Sequence, residues 1–116
     1  MKGSPVQVRA SALRVNLEAT IREALASRAP LALVYEGDRG ASRTVHPQVL
    51  YLDAGGTLLV DFWQLSGPSK SGGRLPDWRA FELARIERAE MLDGEYGAAP
   101  GLNLQASKYA TVLACV

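Results

Sequence analysis

Apolar positions change period several times along the chain, and each change marks an element. Leu17, Ile21, Ala24 and Leu25 recur at helical spacing, with Glu18, Arg22 and Glu23 on the opposite side. This predicts one helix over 17–28. Asn16 is its expected N-cap, because the side-chain oxygen can accept from a first-turn amide that otherwise lacks a partner. Pro30 ends it, since a residue before proline avoids the α region. Ahead of the helix, Val6, Val8 and Ala10 alternate and the period lapses near Leu13. Residues 1–16 are therefore expected to form an arm or a short edge strand.

Past Pro30 the pattern turns to strands. Residues 31–36 are apolar and end in the turn-rich Gly37-Asp38-Arg39-Gly40. Thr44, Val45, Val49, Leu50, Tyr51 and Leu52 predict a longer strand, in which Pro47 requires an edge or a bulge because it has no N–H for the ladder. Asp53-Ala54-Gly55-Gly56 is a hairpin turn, and 57–63 returns as the third strand of an antiparallel meander. Residues 66–76 are too rich in Gly, Ser and Pro for regular structure and read as a surface loop. After Trp78 the periodicity leaves two choices open. Phe81, Ala84, Arg85 and Arg88 would share a helix face; Arg79, Phe81 and Leu83 would share a strand face. Residues 93–101 form another loop. The apolar end, Val112-Leu113-Ala114-Cys115-Val116, must pack on this domain or on another subunit, because an exposed apolar strand aggregates.

Composition fixes the class. The 116 residues are 47% hydrophobic and 22% charged, which fits one globular domain. A chain of this size buries roughly 65% of its unfolded surface, enough for a core without staples. Cys115 is the only cysteine, so no intrachain disulfide forms, as suits a reducing compartment. No apolar run reaches the ~18 residues that a membrane span needs. Arg9 and Arg14 follow the N-terminus where a signal peptide would be apolar. A cytoplasmic protein is expected. With 13 Lys/Arg against 12 Asp/Glu, the net charge of +1 excludes a global cationic field for duplex nucleic acid.

The inventory for catalysis is thin. His46 is the only histidine, so any nucleophilic triad must use it. Cys115 lies in an apolar tail, where a thiol acts as a small hydrophobe. Ser42 and Asp53 accompany His46 without anything resembling a nucleophile elbow. One His and one Cys do not close a zinc site, and no acidic spacing matches a calcium loop. Neither a catalytic centre nor a metal nor a cofactor is expected. The loop Gly67-Pro68-Ser69-Lys70-Ser71-Gly72-Gly73 is not a phosphate loop, since Lys70 precedes the glycines and Pro76 follows. The aromatic residues Tyr35, Tyr51, Phe62, Trp63, Trp78 and Phe81 interleave with Arg39, Arg43, Arg79 and Arg85. Such a set either fills a core with its rim covered by arginine, or offers a face that stacks bases and pairs with phosphates.

Three motifs carry a resemblance. They are Arg43-Thr44-Val45-His46-Pro47 with Leu50-Tyr51, then Gly55-Gly56-Thr57-Leu58-Leu59-Val60-Asp61-Phe62, then Arg79-Ala80-Phe81-Glu82-Leu83-Ala84-Arg85-Ile86. In that order they resemble a WYL domain over 17–93, leaving 94–116 as a C-terminal extension with an apolar strand. The tripeptide that names the family falls on Thr57-Leu58-Leu59, so only Leu59 matches. The resemblance implies a mainly β fold with one N-terminal α-helix (α+β), a small Sm-like or SH3-type β-barrel, and hence strand rather than helix after Trp78. It then implies strand to 83, a turn at 84–87 and a last strand at 89–92. It also implies a non-enzymatic regulatory domain of bacterial transcription or defence, binding an anionic small molecule, a nucleotide or single-stranded nucleic acid. The contacts it carries over are Tyr35, Ser42, Arg43, His46, Arg79 and Arg85, with Phe62 or Trp63 adding a stacking surface. A stand-alone module, or one separated from an effector protein, is expected. The rival reading is a homo-oligomeric structural module that uses exposed barrel edges and the apolar tail.

Overall fold

A computed structural model describes residues 5–69 and 72–116, with side chains from Asn16 onward. One helix, α1 (Pro5–Ser27), precedes five strands: β1 (Leu31–Tyr35), β2 (Arg43–Leu52), β3 (Leu58–Ser66), β4 (Asp77–Glu82) and β5 (Ile86–Met91). A one-turn 3-10 helix (Leu83–Arg85) joins β4 to β5, and β6 (Thr111–Cys115) closes the chain. All pairings are antiparallel, in the order β4-β3-β2-β1-β5 with β6 on β2. Among the described residues no ladder joins β4 to β5, so the sheet is not closed. No described helix is long and apolar enough to cross a membrane.

The helix is longer than its core-facing period predicts. Its described part spans Pro5–Ser27. Ala10, Ala12, Leu13 and Arg14 are strong helix formers, and they outweigh the three-position alternation read as an arm or strand. Asn16 consequently lies inside α1 and is exposed, not capping it. The C-terminus closes by geometry. Arg28 adopts φ 56°, and the Ala29 amide donates to the Ala24 carbonyl at 3.0 Å, capping the last turn before Pro30.

The long strand β2 organises the sheet. Its first half pairs with β1 (Leu31↔Val45, Leu33↔Arg43) and its second half with β6 (Val49↔Cys115, Leu52↔Thr111), both along one edge. Pro47 falls in the gap between those partners, so its missing donor interrupts neither ladder. A bulge lies there too: Pro47 and Val49 oppose the adjacent residues Phe62 and Asp61 of β3. The extra residue reverses the side-chain alternation, so Val45 and Leu50 both enter the core despite their odd spacing. The hairpin at 53–56 is tied by the Asp53 carboxylate, which accepts from the Gly55 and Thr57 amides at 2.9 Å.

Ile21, Ala24 and Leu25 of α1 close the core over Leu31, Leu33, Tyr35, Val60, Phe62, Phe81, Leu83 and Ile86. The apolar end of the chain packs on its own domain as β6, with Val112 the exposed member. Residues 92–110 cross the sheet face opposite the core. They are held by the Leu92 amide on the Pro30 carbonyl (2.8 Å) and the Tyr96 amide on the Arg28 carbonyl (3.1 Å).

Candidate functional site

On the core side, the turn after β1 builds an ion pair. The Asp38 carboxylate folds back to accept from the Tyr35 amide at 3.0 Å, which fixes its direction. Arg43, opening β2, donates from Nε and NH2 to the two Asp38 oxygens at 2.7 Å each. Its NH1 donates to Gln64 Oε1 at 2.9 Å, so all three guanidinium nitrogens are engaged. Gln64 in turn donates to the Pro68 carbonyl at 2.8 Å, tying the 66–76 loop to the network. The loop approaches so closely at Gly67 that a Cβ there would lie 2.6 Å from the Ser42 carbonyl oxygen. Arg43 also lies 4.8 Å over the Phe81 ring, which stacks on Tyr35 at 4.2 Å, and Arg85 covers the far side of Tyr35 at 5.2 Å. The result is a column, Arg43-Phe81-Tyr35-Arg85, rooted in the core. Arg85 is its open end, its side chain 43% exposed and paired with Glu36 at 3.0 Å and Glu82 at 3.5 Å.

The opposite face carries aromatic rings. Register places His46 of β2 beside Trp63 of β3, and Trp63 beside Trp78 of β4. These three rings form a row across adjacent strands, with the indoles edge to face at 5.7 Å. Tyr96 covers the His46 end, stacked at 4.6 Å and donating its hydroxyl to the Pro47 carbonyl. Burial holds the His46 pKa below its ordinary 6.5, so the ring is neutral at pH 7 and offers hydrogen bonding, not charge. Trp78 donates its indole N–H to the Pro100 carbonyl at 2.9 Å. Arg79, the next residue, turns to the Phe62 side: NH1 donates to the Trp78 carbonyl at 2.7 Å and NH2 to Ser69 Oγ at 2.6 Å.

Next along this face is a buried acid. Asp61, 1% exposed, accepts from the Tyr51 hydroxyl at 2.9 Å, from the Tyr109 hydroxyl at 2.7 Å and from Lys108 Nζ at 2.6 Å. Burial, and then the hydrogen bond to this carboxylate, push both phenols well above their ordinary range, so each remains a donor. No buried side-chain polar atom among the described residues lacks a partner.

The sequence-predicted residues therefore divide. Tyr35 and Arg43 are buried in the column, and Phe62 is fully buried in the core, where it presents no stacking surface. Arg85 is the accessible member of that group, and Ser42 lies exposed beside Gly67. His46 and Trp63 are half-buried on the opposite face, whereas Arg79 of β4 lies on the Phe62 and Phe81 side. Sequence reasoning left Trp78, Tyr96, Lys108 and Tyr109 out of the site. A legible signal existed for part of this. Asp61 stands inside the apolar run 58–63, and a carboxylate there requires partners.

One helix on an open antiparallel sheet, with a polar column on one face and an aromatic row on the other, makes this a small β-rich domain. A family model for the WYL domain matches residues 16–91, well over half the chain. The chain belongs to the WYL domain family, whose members are in general regulatory ligand-sensing domains. The match ends at Met91, so the segment that supplies Tyr96, Lys108, Tyr109 and β6 lies beyond it. No curated protein and no solved structure matches the chain.

Proposed function

We propose that this domain is a non-enzymatic sensor of a ligand that combines a planar ring with an anionic group: a nucleotide, or a short single strand of nucleic acid. The observation that carries the reading is the His46-Trp63-Trp78 row on the face away from the core. Rings that served only as filling would point into the hydrophobic cluster, as Phe62 and Phe81 do. Half-exposed indoles on adjacent strands are a surface for stacking, sequence-tolerant because every base has a π face. Lys108, half exposed beside Asp61 on this same face, is the cation best placed to meet a phosphate. Arg43 is a scaffold residue in this reading, and Arg85 a secondary contact at the far face.

The helix ahead of the strand order β5-β1-β2-β3-β4, with a 3-10 turn between β4 and β5, supports the Sm-like type. The open edges at β4 and β5 favour, as a second reading, association with an effector protein or another copy through strand addition. Thermal unfolding against nucleotides, cyclic dinucleotides and short oligomers tests the sensor reading. A native-state ligand at a hundredfold excess over Kd adds about 2.7 kcal/mol. The shift is expected to disappear in Trp63→Ala and to weaken with salt in the wild type. A ligand-induced shift that Trp63→Ala retains in full would overturn the assignment of this face.

A further inference from the structure

We infer that the segment after the family domain builds a ring-binding pocket against Trp78, a site that takes one planar heteroaromatic ring carrying an anionic substituent. The inference rests on the sensing function proposed above and locates the ring. A pocket of about 210 Å³ opens where Trp78 of β4 meets residues 101–109, lined by Leu102, Asn103, Ala106, Lys108 and Tyr109. Ligand sites for drug-sized molecules start at about 300 Å³, so this one admits a single ring and leaves the rest of a nucleotide outside.

Its walls are of the right kind. The Trp78 indole and the Tyr109 phenol supply aromatic surface, and both polar ends are tied off, the indole N–H on Pro100 and the hydroxyl on Asp61. Neither wall therefore asks a ligand for a partner; Leu102 and Ala106 add aliphatic surface, and Lys108 Nζ lies 5.2 Å over the Tyr109 ring. Asn103 already accepts from the Gln105 amide through Oδ1 at 3.0 Å, which holds its side chain at the rim. Lys108 is the cation. It is paired with buried Asp61, but its own side chain is 52% exposed. Tyr51 and Tyr109 continue to donate to Asp61 if the ammonium turns outward, so the carboxylate is not left bare. A phosphate or carboxylate outside the pocket mouth thus meets a flexible lysine.

The geometry also explains how the extension fits the function. The pocket has one wall from the family domain and the rest from the segment that also stacks Tyr96 on His46 and adds β6 to β2. Ring binding and the docking of this segment are therefore coupled.

The test uses the full wild-type chain, whose two tryptophans, Trp63 and Trp78, adjoin on this face. Adenosine 5′-monophosphate, adenosine and inorganic phosphate are titrated while tryptophan emission is followed. Saturable quenching by the monophosphate, weaker quenching by adenosine and none by phosphate are expected. Ala106→Phe, which fills the pocket, and Lys108→Met, which keeps the stem without the charge, are each expected to weaken the monophosphate by about tenfold or more. Circular dichroism on each variant confirms that the sheet is retained. Unchanged affinity in folded Ala106→Phe and Lys108→Met would overturn the pocket. If ligand-induced thermal shifts survive in those variants but vanish in Trp63→Ala, the sensing function stands and only this location fails. Absence of any response to the three probes and of any thermal shift in the wild type would overturn both.

Discussion

Replacing Arg43 separates scaffold from contact. Arg43 is 2% exposed, and its three nitrogens are spent on Asp38 and Gln64 within 2.9 Å. Arg43→Ala strips the buried Asp38 carboxylate of its two-pronged guanidinium partner and removes that guanidinium from Phe81. Breaking one side of a buried pair costs about 3–5 kcal/mol, a large share of the ~5–15 kcal/mol that holds a domain together. For a domain of this size about 4 °C of Tm follows each kcal/mol, so Tm is expected to fall by about 12–20 °C. Arg43→Lys is expected to recover little of this, because an ammonium cannot reproduce the two-pronged fork on Asp38. Removing both charges, as Arg43→Met with Asp38→Leu, is expected to be milder than Arg43→Ala alone, since no uncompensated charge remains. Urea and thermal unfolding of the four proteins supply the comparison. An Arg43→Ala domain that melts within about 3 °C of wild type, yet loses ligand, would refute the reasoning and return Arg43 to the binding surface.

Other expectations follow from the second face and the loop. Burial lowers the His46 pKa from its ordinary 6.5, so the unfolded chain binds that proton at a higher pH than the folded one. The stability this contributes is full above about pH 6.5 and is lost as pH falls through the folded value. Wild-type Tm should drop on that side, and His46→Phe, which keeps a ring on Tyr96, should flatten the drop; parallel profiles would contradict this. Tyr109→Phe removes a donor from buried Asp61 and is expected to cost about 1.5 kcal/mol in urea unfolding, with no loss of sheet by circular dichroism. Gly67→Ala is expected to cost about 1–3 kcal/mol. Its φ is +104°, and the new Cβ would strike the backbone of Ser42 and Arg43 within 2.7 Å. A neutral Gly67→Ala in a melting experiment would mean that the loop does not rest on β2.

The strands were legible because each apolar run ends in a turn whose residues fix it. Asp53 and the glycines after it close β2 onto β3, and Pro47 announced the bulge that re-phases β2. The helix length was not legible, because Val6, Val8 and Ala10 alternate and the helical period in the sequence starts only at Leu17. The site was partly legible. Arg43 and Tyr35 read as contacts because arginine beside an aromatic ring looks the same in a column as on a surface; only burial separates the two. Phe62 and Trp63 are neighbours on one strand and so must face opposite ways, yet sequence alone does not say which is inside. Tyr96 on His46, and Lys108 and Tyr109 on Asp61, come from more than 45 residues away, and no local pattern links them.

The central claim is that ligand meets the aromatic row and not the Arg43 column. The most direct measurement is fluorescence anisotropy of a short fluorescein-labelled single-stranded oligonucleotide titrated with wild type, Trp63→Ala and Arg85→Ala, each checked for a native melt. The account predicts salt-sensitive binding by wild type, a loss of about tenfold or more in Trp63→Ala, and a smaller change in Arg85→Ala. Full binding by Trp63→Ala together with loss in Arg85→Ala would contradict it and move the site to the column.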